Sequence, residues 1–150
     1  MDADLSHDPR QPPRPLEAPE RGADLAVGSR NVAGGGVVGW GPGRHLLSKG
    51  GSLYARTVLG APVRDLTTGF KAYKRAALEA IEPTRLRSNG YAFQIETTWR
   101  ALQRGMRVVE VPICFVDRRV GRSKMDARIF AEAIGAVLRM RFARSGGRLL

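Results

Sequence analysis

The fold class is decided by residues 91–116, YAFQIETTWRALQRGMRVVEVPICFV, in which a helical pattern gives way to a strand pattern. Apolar residues recur at helical spacing as far as Arg104, and Gly105 is a residue that typically ends a helix. The following run, residues 107–116, is rich in Val and Ile and predicts the strongest strand of the chain. A helix that leads directly into a buried strand indicates the α/β class.

The flanking segments continue this alternation. Short strands are predicted at residues 24–30 and 70–73. Further helices are predicted over residues 46–59, 74–81 and 126–143, the last of them amphipathic. We therefore expect an α/β fold with a mixed sheet and flanking helices.

Two segments are predicted to be irregular. Five prolines lie between residues 9 and 21, and they predict a loop or a badly compromised helix. Six glycines between residues 33 and 43 predict a flexible loop. Arg30 and Arg44 lie on either side of the glycine-rich loop, where a flexible backbone can close on a ligand.

Charge is unevenly distributed along the chain, whose formal net charge is +11 at pH 7. Residues 1–29 carry three arginines and six acidic residues, whereas residues 30–150 carry 22 basic and eight acidic residues. A basic body of this kind favours anionic partners such as phosphates, nucleic acid or an acidic membrane surface. Aromatic residues make up only 7% of the chain and no nucleic-acid-binding motif is present, so we expect no nucleic-acid partner.

Residue content excludes several classes of site. The single cysteine, Cys114, rules out an intrachain disulfide and is predicted to be a buried small hydrophobe. The two histidines, His7 and His45, have no partner at a catalytic or zinc-binding spacing, and the chain has no Walker loop. No stretch approaches the roughly 20 apolar residues that a membrane-spanning helix needs. The candidates for chemistry are therefore carboxylates and cations.

Asp2 and Asp4 stand one residue apart in an acidic segment. In an extended chain, residues i and i+2 point to the same side. Both carboxylates can then reach one hard cation through oxygen, so the pair indicates a site for Mg²⁺ or Mn²⁺.

Cations follow three predicted elements. Arg30 follows a strand and Arg44 follows the glycine-rich stretch, and the planar fork of arginine suits phosphate oxygens. The alternative is that both are solvated surface residues. Residues 117–124, DRRVGRSK, place four cations, Arg118, Arg119, Arg122 and Lys124, after the strongest strand, as either a phosphate cradle or an ordinary basic loop.

Polar side chains occur at two further turns. Asp65 begins the run DLTTGF, residues 65–70, where it either caps the turn or faces a substrate. Gln94 and Glu96 lie near the start of the predicted helix over residues 91–104, where the helix dipole favours a carboxylate. Glu96 either stabilises that helix end or contributes to a binding site.

Taken in order, these segments resemble the polyprenol (dolichol) phosphate mannosyltransferases of glycosyltransferase family 2. The matching runs are DADLSHDP at 2–9, GSR at 28–30, GGVVGW at 35–40, Arg44 with SKG at 48–50, DLTTGFKAY at 65–73, GYAFQIE at 90–96, EVPI at 110–113, FVDR at 115–118 and GRSK at 121–124. The resemblance implies a partial GT-A (Rossmann-like) domain. It also implies inverting transfer of mannose from GDP-mannose to a polyprenyl (dolichyl) phosphate at the cytoplasmic face of a membrane.

The site residues that the resemblance implies fall into three groups. They are the metal ligands Asp2 and Asp4 for Mg²⁺ or Mn²⁺, the substrate-binding residues Arg30, Arg44, Ser48, Gln94 and Glu96, and the catalytic residues Asp65, Arg118 and Lys124. Arg30 and Arg44 would hold the lipid phosphate, and Arg118 and Lys124 would lie near the diphosphate of the donor.

The same resemblance divides the chain at residue 124. Residues 1–124 correspond to the C-terminal part of a GT-A domain, and residues 125–150 form an amphipathic helix with a basic tail, suited to peripheral membrane contact. In the family a nucleotide-binding half precedes the acidic pair. We therefore expect these residues alone not to turn over GDP-mannose, and a missing N-terminal half or a partner membrane subunit to complete the site. Two alternatives stay open: a non-catalytic basic module that binds anionic lipid or other phosphate ligands, and a related family 2 transferase that uses another sugar.

Overall fold

The computed structural model describes residues 13–86, 88–116 and 127–145. Within these ranges the helices are α1 (Pro13–Glu20), α2 (Pro42–Leu59), α3 (Arg75–Ile81), α4 (Gly90–Gln103) and α5 (Ala127–Ser145), with a 3-10 turn at Pro83–Arg85. The strands are β1 (Leu25–Ser29), β2 (Gly36–Val38), β3 (Lys71–Tyr73), β4 (Val108–Pro112) and β5 (Cys114–Val116). The prediction of a mixed α/β fold is confirmed.

The main sheet is built around β1, every residue of which is buried. β3 pairs with β1 in antiparallel fashion, and β4 pairs with it in parallel, from Leu25 opposite Val108 to Ser29 opposite Pro112. A central strand covered on both faces reads as a continuous apolar run, which explains why residues 24–30 could be recognised as a strand. The parallel pairing brings the carboxyl ends of β1 and β4 to the same edge of the sheet.

The single strand predicted over residues 107–116 is wrong in one respect, because the structure divides it into β4 and β5. Pro112 ends β4, and β5 pairs in parallel with β2 in a second, two-stranded sheet. Ile113 joins the two sheets: its N–H donates to the Ser29 carbonyl at 3.0 Å, and its carbonyl accepts the Gly36 N–H at 3.0 Å. The segment changes partner where β1 ends, which its own sequence does not show.

The flexible loop predicted over residues 33–43 is also partly wrong, since it contains β2 and the first turn of α2. The chain turns back on itself closely before β2. A Cβ built on Gly35 would lie 2.5 Å from the Ser29 carbonyl oxygen, so only glycine fits there without a backbone shift. The glycines therefore allow a tight return from β1 into β2.

Of the two forms predicted for residues 9–21, the structure shows the helical one over α1, with Pro19 inside it. Prolines are tolerated in a first helical turn, where the N–H groups have no intrahelical partner. The helix ends at Glu20, two residues before Gly22, whose φ of 97° is in the left-handed region, and the Ala23 N–H donates to the Ala18 carbonyl at 3.0 Å. Residues 9–12 lie outside the described ranges.

The hydrophobic core lies between the main sheet and helices α2, α4 and α5. α5 packs on both α2 and α4, and its buried residues Ala136, Val137 and Met140 join a core that includes Leu25, Val27 and Leu66. Cys114 is only half-buried, so the prediction of a buried position is wrong. Among the helices that the structure describes, none combines the length and the apolar character needed to span a membrane.

Candidate anion-binding site

Arg30 and Asp65 form a buried ion pair at the carboxyl end of β1. The Nε of Arg30 donates to Oδ2 of Asp65 at 2.7 Å, and Nη2 donates to Oδ1 at 2.8 Å. The backbone N–H of Arg30 also donates to Asp65, at 3.1 Å. The Asp65 side chain has no exposed surface and that of Arg30 is 9% exposed, so the surface alternative is wrong for Arg30.

The carboxylate of Asp65 is held in its ionised form. Burial by itself would raise its pKa, but the hydrogen bonds and charge of Arg30, together with the hydroxyl of Thr67, lower the pKa below its ordinary value. Thr67 donates to Asp65 Oδ1 at 3.2 Å and accepts from Arg30 Nη2 at 3.0 Å. The pair is therefore an Arg⁺–Asp⁻ pair at neutral pH, with a fixed geometry.

An aromatic cluster lies against the guanidinium of Arg30. The Cζ of Arg30 lies 5.4 Å from the ring centre of Trp40 and 5.7 Å from that of Phe115, and the Cζ of Arg44 lies 4.4 Å from Trp40. Trp40 packs edge-on against both Phe115 and His45, at 5.3 and 5.6 Å between ring centres. Arg30 and Arg44, which come from separate segments of the sequence, therefore both lie over the indole ring of Trp40.

A pocket of about 150 Å³ opens beside this cluster. Its lining residues come from the end of β1, from the segment around β2 and from the first turns of α2: they are Arg30, Asn31, Gly35, Gly36, Val37, Trp40, His45, Ser48 and Lys49. The described lining contains cations, hydroxyl and amide donors but no carboxylate. An anion with several oxygens, such as a phosphate, fits this chemistry.

Helix α2 delivers several of these side chains together. Gly41 is its N-cap and Pro42 occupies the first turn, so the helix begins just before Arg44. Arg44, Ser48 and Lys49 then lie on its first turns, where the positive end of the helix dipole also favours an anion. The structure places Arg30, Arg44 and Ser48, which the sequence predicts to bind substrate, in one region, and their binding role stays a prediction. The sequence gives no role to Trp40, His45 or Lys49.

Gln94 and Glu96 are not among the described residues that line the pocket. Glu96 is buried and forms an ion pair with Arg100 at 2.7 Å, and it accepts the Ser88 N–H at 3.2 Å. The backbone carbonyl of Gln94 accepts the Nζ of Lys71. These contacts stabilise the start of α4, while a substrate-binding role for the two side chains stays a prediction.

Lys71 has side-chain contacts and a lowered pKa that the sequence does not predict. Its Nζ donates to the Gln94 carbonyl and, at 3.1 Å, to the hydroxyl of Thr97. Burial lowers the pKa of Lys71 to about 7, against the opposing attraction of the Asp65 carboxylate. Lys71 therefore links the Asp65 region to α4 and carries only a partial positive charge at neutral pH.

Four of the predicted site residues lie outside the described ranges: Asp2, Asp4, Arg118 and Lys124. Within the described part of the chain there is no group of three or more His, Cys, Asp or Glu side chains that could hold a metal ion. The metal and diphosphate assignments therefore stay predictions.

Comparison with known proteins gives close relatives, although no family model matches the chain. An undecaprenyl-phosphate mannosyltransferase from Micrococcus luteus is 49% identical over 139 residues, covering 93% of this chain and 57% of the relative. A polyprenol monophosphomannose synthase from Mycolicibacterium smegmatis is 48% identical over 134 residues, covering 89% of this chain and 51% of the relative. The chain spans about half the length of these curated relatives. At this identity over nearly its whole length, the chain is a homologue of part of these two curated mannosyltransferases.

Proposed function

We propose that the protein to which these residues belong transfers mannose from GDP-mannose to a polyprenyl phosphate, and that the described region holds the acceptor phosphate. The observation that carries this proposal is the pocket formed by Arg30, Ser48 and Lys49 beside Trp40 and Arg44. Mannose as the transferred sugar and polyprenyl phosphate as the acceptor are proposed from the names of the two relatives. The donor, GDP-mannose, comes from the sequence resemblance.

The proposed reaction needs cations more than it needs a general base. An oxygen of the acceptor phosphate attacks the anomeric carbon of mannose, the bond from that carbon to the diphosphate breaks, and the electron pair leaves with GDP. The attacking oxygen is already anionic at pH 7, so no proton has to be removed from it. Arg30, Arg44 and Lys49 would hold that phosphate in position, and holding a reactant in place lowers the entropic part of the barrier.

Asp65 would act through Arg30 and not on the substrate. Both of its carboxylate oxygens receive donors from the Arg30 guanidinium, at 2.7 and 2.8 Å. A guanidinium fixed by a buried carboxylate presents its remaining surface in one orientation, which suits recognition of a tetrahedral phosphate.

The donor side of the reaction rests on residues outside the described ranges. Asp2 and Asp4 would hold Mg²⁺ or Mn²⁺, because paired carboxylates are the ligands that hard cations prefer. The ion would supply charge stabilisation for the GDP leaving group. Arg118 and Lys124 would contribute to the same stabilisation.

Peripheral membrane contact is proposed for the exposed sides of α2 and α5. Leu46 and Leu53 of α2 are 77% and 62% exposed, and Phe142 of α5 is 69% exposed. The exposed side of α2 also carries Lys49 and Arg56, so apolar and cationic groups alternate there. Such a surface fits an anionic bilayer. This side of α2 meets the pocket at Lys49, which is exposed and also lines the pocket, so a lipid phosphate at the bilayer surface would lie near the site.

The test combines a binding and a transfer measurement on the 150-residue chain. A polyprenyl monophosphate is incorporated into anionic vesicles, binding is measured by flotation, and transfer is measured with radiolabelled GDP-mannose and Mg²⁺. We expect R30M to lose at least tenfold in binding to the phosphate-containing vesicles. R75M is the matched control, since Arg75 is exposed on α3 in a pair with Glu79.

Four outcomes are informative. Loss of binding in R30M but not in R75M supports the acceptor site, whether or not the chain turns over. Equal binding by wild type and R30M contradicts it. Transfer by these residues alone would overturn the sequence prediction of inactivity. In a D2N/D4N variant, metal-dependent GDP-mannose binding should vanish if the chain is part of a transferase, whereas lipid binding should not weaken if the chain is a non-catalytic module.

A further inference from the structure

The connection between α2 and β3 is buried although it has no regular secondary structure. Ala61, Val63, Asp65, Leu66 and Thr68 all lie in the interior. Backbone N–H groups in a buried loop need acceptors, because an unpaired one costs free energy comparable to a lost hydrogen bond. The position of Asp65 therefore depends on where the amides of this loop find their acceptors.

Glu110 provides acceptors for two consecutive amides of the loop. Its Oε2 accepts the Arg64 N–H at 2.9 Å, and its Oε1 accepts the Asp65 N–H at 3.0 Å. Glu110 lies in β4 opposite Val27 of β1, three residues before Arg30. One carboxylate thus ties the loop that carries Asp65 to the sheet that carries Arg30.

We propose that Glu110 is a positioning residue for the anion site, acting on Arg30 through Asp65. Glu110 fixes the backbone on which Asp65 stands, and Asp65 fixes the Arg30 guanidinium through two hydrogen bonds of 2.7 and 2.8 Å. Glu110 is not among the described lining residues, so its effect reaches the ligand only through this relay. The inference rests on the proposed function in one respect, which is that the pocket binds an acceptor phosphate.

The contact requires a carboxylate specifically. Two parallel N–H donors need two acceptor oxygens, and an ionised glutamate has both. A glutamine at this position has one acceptor oxygen, and its NH₂ group would face the second N–H donor. E110Q therefore keeps the size of the side chain and breaks one of the two contacts, so one amide of the loop loses its tie to β4.

The closing experiment reads the Arg30 geometry with and without a ligand. Without ligand, the Arg30 Nε–H resonance and its exchange with solvent are measured by nitrogen-15 NMR on the full chain. With ligand, the affinity for a polyprenyl monophosphate in detergent micelles is measured by calorimetry for wild type, E110Q, R30K and the double variant. E79Q is the control, because Glu79 is exposed on α3 and pairs with Arg75. Thermal unfolding shows that each variant is folded at the temperature used.

We expect E110Q to speed exchange of the Arg30 Nε–H and to weaken phosphate binding about tenfold, whereas E79Q does neither. We expect the double variant to bind no more weakly than R30K, because both changes act through one guanidinium. A lower unfolding temperature in E110Q with an unchanged Nε–H and affinity would overturn the proposal. If E110Q does not fold, E110D replaces it: its shorter side chain must still speed exchange of the Arg30 Nε–H, and exchange equal to that of wild type would overturn the proposal.

The two parts can fail separately. Faster Nε–H exchange in E110Q, with no phosphate binding by wild type, supports the positioning role and contradicts the proposed function. Unchanged Nε–H exchange in E110Q, with phosphate binding that depends on Arg30, contradicts the positioning role and supports the proposed function.

Discussion

In the described part of the chain, two buried arginine–carboxylate pairs differ in what surrounds them. Arg30–Asp65 and Arg100–Glu96 both have closest contacts of 2.7 Å, and in both the side chains are less than a tenth exposed. The first joins the end of β1 to a loop, whereas the second spans one turn of α4. Arg100 also donates to the Ile81 and Arg85 carbonyls, at 3.4 and 3.2 Å. Arg30 lies against aromatic rings at a pocket.

Burial and a short contact distance are therefore not enough to identify a functional ion pair. The donors of Arg100 go to a carboxylate and two backbone carbonyls, so this pair joins α4 to the segment before it. The guanidinium of Arg30 is held by Asp65 along one edge and lines a pocket that contains no described carboxylate. The remaining surroundings of each arginine decide whether it stabilises the fold or presents a charge.

The largest expected effect is the loss of stability when either buried arginine loses its carboxylate partner. D65N and E96Q each leave a buried guanidinium without its counter-charge, which destabilises a protein by about 3–5 kcal/mol. E79Q breaks an exposed pair within α3 and should cost less than about 1 kcal/mol. Urea unfolding of the three variants measures these differences. A cost for D65N no greater than that for E79Q would show that the Arg30–Asp65 pair does not stabilise the fold.

The sequence singles out several of the residues in these pairs, but it does not predict which residue pairs with which. Arg30, Asp65 and Glu96 all stand out in motifs, but Asp65 lies 35 positions after Arg30, and only the fold brings them together. Glu110 is less visible still, because its contacts are to backbone amides and depend on the β1–β4 register. The segment that forms β4 and β5 was predictable from its Val and Ile content, whereas β2 lies in the predicted flexible loop. The division of β4 from β5 was not predictable, since it follows from where β1 ends.

Lys71 connects the two regions, and its effect should depend on pH. Its pKa is lowered to about 7 in the folded protein, while the unfolded chain keeps a value near 10.5. Between these values the unfolded state binds more protons, so the free energy of unfolding should rise with pH. We expect a rise of about 2 kcal/mol between pH 7 and pH 9. Urea unfolding at several pH values should show it for wild type and a flatter profile for K71M; identical profiles would contradict the assignment.

A third comparison separates the pairs by binding. R30K and R100K both keep a charge but lose the planar fork that matches a carboxylate. We expect R30K to weaken polyprenyl-phosphate binding at least tenfold and R100K to change it less than twofold, because only Arg30 lines the pocket. Calorimetric titration measures both affinities. Equal losses in the two variants would mean that binding reports general stability and not the position of Arg30.

The smallest expected effect concerns two tryptophans, one near each pair. Trp40 lies beneath Arg30 and Arg44, and Trp99 packs against the core beside Arg100 in α4; the indole nitrogens of both are buried without a hydrogen-bond partner. A cation–π contact contributes about 0.5–1 kcal/mol, so W40L should weaken polyprenyl-phosphate binding by roughly threefold to fivefold. W99L should cost stability through lost packing but leave the affinity of the folded protein unchanged. The two substitutions remove the same chemical groups. A loss of affinity in W40L alone would therefore come from the pocket beside Arg30. An equal loss of affinity in W99L would contradict that interpretation.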